Sequence, residues 1–128
     1  MVHQVIQTDK APAAIGPYSQ GIAAGPWLFV SGQLGMVPDS GELAGSDLAA
    51  QSRQALENLQ QIVMAGGGDL TDVVAVDVFL TDMGSFAEFN GIYQEFFSEH
   101  RPARAVVEVS ALPREACVEI KCIVALNS

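Results

Sequence analysis

The segment that most constrains the fold of this chain is an apolar run of eight residues, Val73-Val74-Ala75-Val76-Asp77-Val78-Phe79-Leu80. A nearly continuous, β-branched run of this length is typical of a strand that is covered on both faces. We therefore predict that it lies at the centre of a sheet. Helices, further strands or a second subunit must then cover both of its sides.

Amphipathic helices are predicted on either side of this run. Between Asp47 and Gly66, apolar residues recur at three- and four-residue steps; Asp47 or Ser46 can cap the start, and glycines end the helix. After Thr81-Asp82, aromatic residues at helical spacing predict a second helix that ends near His100. We assign this aromatic stripe to the hydrophobic core.

Strands are predicted in five further segments, and the prolines and glycine of residues 11–17 predict a shaped loop. These strands are residues 3–8, 18–23, 27–34, 105–110 and 116–126. The element order is then β-β-β-α-β-α-β-β, in one domain of residues 1–128. Two helices on one side of a mixed sheet make an α+β layer fold. The other face of the sheet is bare, and its apolar residues predict that a partner subunit covers it.

Composition and motifs disfavour several classes of function. Six Lys and Arg stand against 15 Asp and Glu, a net charge of −9, which disfavours recognition of a nucleic-acid partner through its phosphates. No apolar run reaches the roughly 18 residues of a membrane helix, and the N-terminus lacks the features of a signal peptide, so we expect a cytoplasmic protein. We find no sequence signature of a metal site, a nucleotide-binding loop or a catalytic triad.

Arg104 is the first candidate for a functional residue. It precedes an apolar strand in a chain with only four arginines. Its planar guanidinium matches a carboxylate, which indicates substrate binding. The alternative is a structural ion pair with an acidic neighbour, which composition alone favours.

Glu119 is the second candidate, within the apolar segment Ala116-Cys117-Val118-Glu119-Ile120-Lys121. Strand alternation places Val118 and Ile120 on one face and Glu119 with Lys121 on the other. A half-buried carboxyl with a raised pKa is suited to general acid or base catalysis. The alternative is a solvent-facing or interface carboxylate paired with Lys121.

Six stretches match one known family in the same order along nearly the whole chain. They are APAAIGPYSQ (11–20), VSGQ (30–33), QALEN (54–58), FNGIY (89–93), PAR with VEV (102–104 and 107–109) and VEI (118–120). Through them the chain resembles the RidA/YjgF family of reactive-intermediate deaminases. The resemblance implies a ferredoxin-like subunit, similar to chorismate mutase of the trimeric type, and a homotrimer with active sites between subunits.

The activity that the resemblance implies is hydrolysis of 2-imino acids, such as 2-iminobutanoate and 2-iminopropanoate, to 2-oxo acids and ammonia. This reaction needs no metal or organic cofactor. By the same resemblance, Arg104 grips the substrate carboxylate and Glu119 positions the attacking water. The residues that match the substrate-binding cleft are Tyr18, Ser31, Gly32, Asn90 and Val106, the last through its backbone carbonyl.

The sequence departs from the family pattern at two places. Ala105-Val106 stand where Ser-Cys is common, which removes a thiol, and Lys121 stands where a second glutamate is common. A cation at that position is expected to lower the pKa of Glu119. The competing hypothesis is a non-catalytic trimeric module that binds a carboxylate metabolite or a protein. A translation-inhibitor or ribonuclease role, described for some family members, is disfavoured by the net charge.

Overall fold

A computed structural model describes residues 3–126 of the chain. Its strands are β1 Gln4–Ile6, β2 Gly21–Ala24, β3 Trp27–Leu34, β4 Val73–Leu80, β5 Ala103–Glu108 and β6 Val118–Ala125, and its helices are α1 Leu48–Ala65 and α2 Phe86–Phe96. The strands form one mixed sheet in the order β1-β2-β3-β6-β4-β5, in which only β4 and β5 are parallel. The predicted element order and the α+β class are confirmed.

The position of β4 in the sheet differs from the prediction. β4 has a neighbour on each side, but it lies next to the edge strand β5, and β3 and β6 occupy the middle. The reason is that β6, the last strand of the chain, inserts between β3 and β4 and pairs antiparallel with both. Such a long-range pairing leaves no trace in the local apolar pattern of β4.

The first helix begins and ends close to the predicted residues. The Asp47 carboxylate accepts a hydrogen bond from the Ala50 N–H at 3.4 Å, which caps the start of α1. Gly66 follows the last helical residue in a right-handed conformation, and the left-handed residue is Gly67, with φ of +96°. The helix therefore ends at Ala65, and the second glycine of the run, not the first, takes the left-handed conformation that follows it.

The second helix is shorter than predicted. A 3-10 turn, Met83–Ser85, precedes it and is capped by the Asp82 carboxylate, which accepts from the Gly84 N–H at 2.9 Å. The helix ends at Phe96, four residues before His100. Beyond it, the His100 ring donates from Nε2 to the Val73 carbonyl oxygen at 2.6 Å, so this segment is tied to the start of β4.

Both helices pack on one face of the sheet. Alternate residues of β4 that face them, such as Val76 and Val78, are buried with the apolar sides of α1 and α2. The opposite face is open in the single chain, where Trp27, Phe29 and Val107 are 44 %, 45 % and 45 % exposed. The prediction of a bare apolar face is confirmed, and its cover by a partner subunit stays a prediction.

Two features are absent from the part of the chain that the structure describes. Within residues 3–126, neither helix has the length and apolar character needed to span a membrane. Over the same residues, no three His, Cys, Asp or Glu side chains are close enough together to hold a metal ion.

Candidate active site

Arg104 lies on the edge strand β5 and faces the helix side of the sheet. It is directly opposite Val76 of β4, and residues opposite each other on neighbouring strands share a face. Val76 is buried beneath the helices. Because β5 is at the edge of the sheet, the Arg104 side chain emerges beside α2 instead of being covered by it.

Neutral groups hold the Arg104 guanidinium. Its Nη1 donates to Asn90 Oδ1 at 2.8 Å, and its Cζ lies 4.7 Å from the centre of the Tyr93 ring and 5.7 Å from that of Phe86. Within residues 3–126 no carboxylate forms an ion pair with it. The structural ion pair considered for Arg104 is therefore absent from the described chain, and the guanidinium keeps its capacity to bind an anion.

The Arg104 side chain borders a cavity of about 330 Å³, which we call the Arg104 cavity. No carboxylate lines it among the described residues. It is lined by Asn90, Tyr93, Gln94, Phe97, Arg101, Pro102 and Arg104.

Tyr93 belongs to both the core and this cavity. It is only 8 % exposed, and its ring centre lies 5.7 Å from that of Phe89 and 4.9 Å from that of Phe97. Its hydroxyl is buried without a hydrogen-bond partner in the described residues. Burial raises the pKa of Tyr93 to about 12, opposed by the charge of Arg104. Tyr93 thus stays neutral and supports the guanidinium through its ring.

Replacing Tyr93 by phenylalanine is expected to raise the free energy of unfolding by about 1 kcal/mol. The substitution keeps every ring contact and removes a buried hydroxyl that has no partner within residues 3–126, and such groups cost about 1–3 kcal/mol. Denaturant unfolding of the two proteins measures the change. A lower stability in Tyr93→Phe would show that the hydroxyl has a hydrogen-bond partner in the assembled protein.

Glu119 lies on β6 and faces the open side of the sheet. It is opposite Phe79 of β4 and Leu34 of β3. The register between β3 and β6 shifts at Ser31-Gly32, which together oppose a single residue of β6. This bulge brings the Gly32 backbone against the Glu119 side chain. A Cβ atom at Gly32 would overlap the carboxylate and lie 2.9 Å from its Cδ.

The Glu119 carboxylate is half-buried and accepts no hydrogen bond from residues 3–126. Burial raises the pKa of Glu119 above its usual value, and the positive charge of Lys121 opposes this shift. The predicted direction of the Lys121 effect is confirmed, but burial outweighs it. The alternative of a tight Glu119–Lys121 ion pair is not found, because no such pair forms within the described residues.

Glu119 borders a second cavity, of about 300 Å³, which we call the Glu119 cavity. Its lining is mostly apolar, with Tyr18, two glutamines and Arg114 as the other polar side chains. It is lined by Pro12, Ile15, Tyr18, Gln20, Gly32, Gln33, Leu34, Met36, Pro113, Arg114 and Glu119.

The predicted shaped loop forms one wall of the Glu119 cavity. The buried Gln20 amide holds this loop: its Oε1 accepts from the Thr8 N–H at 2.7 Å, and its Nε2 donates to the Pro12 carbonyl at 2.8 Å. The Ser31 hydroxyl donates to the Ser19 carbonyl at 2.5 Å, next to Tyr18. Ser31 therefore fixes the base of the Tyr18 loop. Tyr18 itself is exposed at the mouth of the cavity.

Another wall of the Glu119 cavity has a strained backbone. Arg114 and Glu115 have φ values of 63° and 56°, which side chains other than glycine adopt at a cost of about 1–3 kcal/mol each. Strain of this kind is typical of binding and catalytic sites. The Arg114 side chain is exposed and lines the cavity.

The structure divides the predicted site residues into two groups. Asn90 and Arg104 meet on the helix side of the sheet, and Tyr18, Gly32 and Glu119 meet on the open side. Ser31 adjoins the second group, whereas the half-buried Val106 packs against the core.

Sequence reasoning missed two aromatic residues that lie against Arg104, Phe86 and Tyr93, and two cavity residues, Arg101 and Arg114. The first two were assigned to the core alone. Their spacing from Asn90 places all three along one face of α2, and this pattern could have linked them to Arg104. No comparable pattern marks Arg101 or Arg114.

Comparison with known proteins identifies relatives over almost the full length. The family model described as Endoribonuclease L-PSP matches residues 8–126. The 2-iminobutanoate/2-iminopropanoate deaminase of Bos taurus is 45% identical over 123 residues, 96% of this chain and 90% of that protein. A RutC family protein of Pyrococcus horikoshii is 48% identical over 120 residues, 94% of this chain and 95% of that protein.

Solved structures agree with this match. The crystal structure of the YjgF gene product from E. coli has a TM-score of 0.93 at 43% identity and covers 97% of this chain and 99% of its own. That of E. coli TdcF with bound serine has a TM-score of 0.93 at 40% identity, with the same coverage of 97% and 99%. Sequence motifs, family model and fold coincide, and the chain therefore belongs to the RidA/YjgF family.

Proposed function

We propose that this protein hydrolyses 2-imino acids, such as 2-iminobutanoate and 2-iminopropanoate, to 2-oxo acids and ammonia. Relatives about 45% identical carry the name of this deaminase, whereas others carry only the RutC family name. The observation that carries the proposal is the Arg104 guanidinium, which neutral groups hold beside a cavity without a carboxylate partner in the described chain. Such a group is suited to bind the carboxylate that all 2-imino acids share.

The proposed active site is shared between two copies of the chain. Arg104 and Glu119 face opposite sides of one sheet, so they do not meet around one substrate within a single subunit. A second copy that covers the open face would bring its Arg104 cavity to the Glu119 cavity of the first. The exposed Trp27, Phe29 and Val107 offer the apolar surface for this contact. A closed homotrimer of such contacts is the assembly that we propose.

The proposed reaction adds water across the carbon–nitrogen double bond. Arg104 holds the substrate carboxylate, and ionised Glu119 accepts a proton from water as the water oxygen bonds to the imine carbon. The electron pair of the double bond moves to nitrogen, and Glu119 returns its proton there, which gives a carbinolamine. The carbinolamine hydroxyl then gives its proton to Glu119, which passes it to the amino group as the carbon–nitrogen bond breaks, so ammonia leaves and the 2-oxo acid remains. The raised pKa of Glu119 suits a carboxyl that must both accept and return a proton during the reaction.

A coupled assay tests this function and the role of Glu119. Threonine dehydratase supplies 2-iminobutanoate, semicarbazide traps it, and the protein is expected to divert it to 2-oxobutanoate. Glu119→Gln is expected to lower kcat by roughly 10²- to 10⁴-fold with little change in KM, because the amide keeps the shape but does not accept the proton. Wild-type activity should fall as the pH drops through the raised Glu119 pKa, since protonation removes the base.

Lys121→Gln is the matched control for this pH profile. Because Lys121 lowers the pKa of Glu119, its removal is expected to move the acid limb to higher pH. An unchanged limb, or full turnover in Glu119→Gln, would remove Glu119 from the proton-transfer role. Binding of 2-oxobutanoate without any diversion of the imine would favour the non-catalytic binding module instead.

A further inference from the structure

The arginines of this chain are distributed unevenly over its surface. The chain has four, and Arg53 is ion-paired with Glu95 at 3.1 Å, on the outer surface of the helices. The other three line the two cavities: Arg101 and Arg104 the first, Arg114 the second. Within residues 3–126 none of these three has a carboxylate partner. The free guanidiniums of an otherwise acidic chain thus lie at the proposed active site.

Arg101 and Arg104 share a single cavity of about 330 Å³. Arg104 is directed by Asn90 and the aromatic rings, whereas the Arg101 side chain is exposed and has no hydrogen-bond or ion-pair partner among the described residues. The remaining polar lining, Asn90 and Gln94, is neutral. One guanidinium is enough to pair with the carboxylate of a simple 2-imino acid, so the second is left without a counter-charge.

The backbone that carries Arg101 is held on both sides. The His100 ring is hydrogen-bonded to the Val73 carbonyl at 2.6 Å, and Ala103 begins β5 opposite Ala75. Pro102 restricts the preceding residue to extended conformations. Arg101 therefore leaves the main chain from a fixed point at the rim of the Arg104 cavity, which lowers the entropy cost of holding a ligand there.

We propose that Arg101 is a specificity-determining residue that binds a second anionic group of the substrate, so that the site accepts 2-imino acids with an acidic side chain. This inference rests on the proposed function. Arg104 takes the carboxylate next to the imine, and Arg101 takes the carboxylate at the other end of a short dicarboxylic imino acid. The hydrolysis is the same as for a monocarboxylate, with water consumed and ammonia released. A bound dicarboxylate neutralises both guanidiniums, whereas a monocarboxylate leaves one charged.

Binding of stable product analogues tests the proposal without turnover. The probes are 2-oxoglutarate, with two carboxylates, and 2-oxobutanoate, with one, titrated calorimetrically into the full-length protein. Arg101→Gln is expected to weaken 2-oxoglutarate binding by about tenfold and to leave 2-oxobutanoate unchanged, because one charge-assisted contact is lost. Arg53→Gln removes the same charge from an exposed pair away from the cavities and is expected to change neither.

The coupled assay then separates the role of Arg101 from the proposed deaminase function. With 2-iminoglutarate generated by an L-glutamate oxidase, Arg101→Gln should raise KM and leave kcat unchanged, whereas 2-iminobutanoate should be hydrolysed as in the wild type. An equal effect on both substrates, or on neither, would overturn the role of Arg101. Arg101-dependent binding of a single-stranded oligouridylate without binding of 2-oxoglutarate would overturn it in favour of a phosphodiester ligand.

The remaining outcomes distinguish the two claims. Hydrolysis of 2-iminobutanoate with no measurable binding of 2-oxoglutarate would overturn the acidic-substrate proposal and leave the deaminase function standing. Arg101-dependent binding of 2-oxoglutarate without hydrolysis of either imine would support the second anion-binding position and overturn the deaminase function.

Discussion

Replacing Arg104 by alanine is expected to lower kcat/KM for 2-iminobutanoate by roughly 30- to 5,000-fold. The estimate corresponds to the loss of about 2–5 kcal/mol when one partner of a hydrogen-bonded charge pair is removed. The guanidinium is held by Asn90, Tyr93 and Phe86 and forms no ion pair within residues 3–126, so the loss falls on ligand binding. Steady-state kinetics in the semicarbazide assay and calorimetric titration of 2-oxobutanoate measure it.

Arg104→Lys is the matched control, because lysine keeps the positive charge but lacks the planar fork. It is expected to recover only part of the affinity. Neither variant should change the size of the proposed homotrimer in sedimentation, since Arg104 is exposed and contributes little to hydrophobic packing. Dissociation of the assembly together with the loss of activity would show instead that Arg104 holds subunits together.

Much of the fold could be predicted because local patterns and turn residues agree. The bounds of β3 and β4 match the predictions, since residues that favour turns mark where these apolar runs start or stop. Gly25-Pro26 precede β3, and Thr81-Asp82 follow β4. The end of α2 could not be predicted in the same way. Phe97 continues the aromatic spacing and is 4 % exposed, yet its φ and ψ of −98° and 66° leave the helix. The side chain stays in the core after the backbone has left the helical path.

The candidate site could be predicted residue by residue but not as an arrangement. Arg104 and Glu119 stand out from the apolar strands around them, which is a local property of the sequence. Their placement on opposite faces depends on two strand registers, Val76 opposite Arg104 and Phe79 opposite Glu119. Both pairings join segments far apart in the chain. The aromatic support of Arg104 likewise depends on α2 packing beside β5, which the periodicity of α2 alone does not show.

Gly32 is the residue whose replacement most directly tests the geometry around Glu119. Gly32→Ala is expected to lower kcat by about a hundredfold or more, because the new methyl group would occupy the position of the Glu119 carboxylate and displace the proposed general base. The fold should persist, since the overlap is with the far end of a flexible side chain and not with backbone. Kinetics and thermal unfolding, measured on the same preparation, separate the two effects. Gly91→Ala, on the exposed side of α2 with open space around its Cβ, is the control. It should leave the kinetics unchanged and raise the unfolding temperature slightly, because alanine favours a helix over glycine.

A double-mutant cycle decides whether Gly32 acts through Glu119. If the methyl group harms catalysis only by displacing this carboxylate, adding Gly32→Ala to Glu119→Gln should cost almost nothing further, since the base is already absent. If the losses in kcat of the two single variants multiply in the double variant, the Gly32 backbone contacts the substrate independently of Glu119. The bulge at Ser31-Gly32 would then serve ligand binding directly, and the close approach to Glu119 would be a consequence of strand packing.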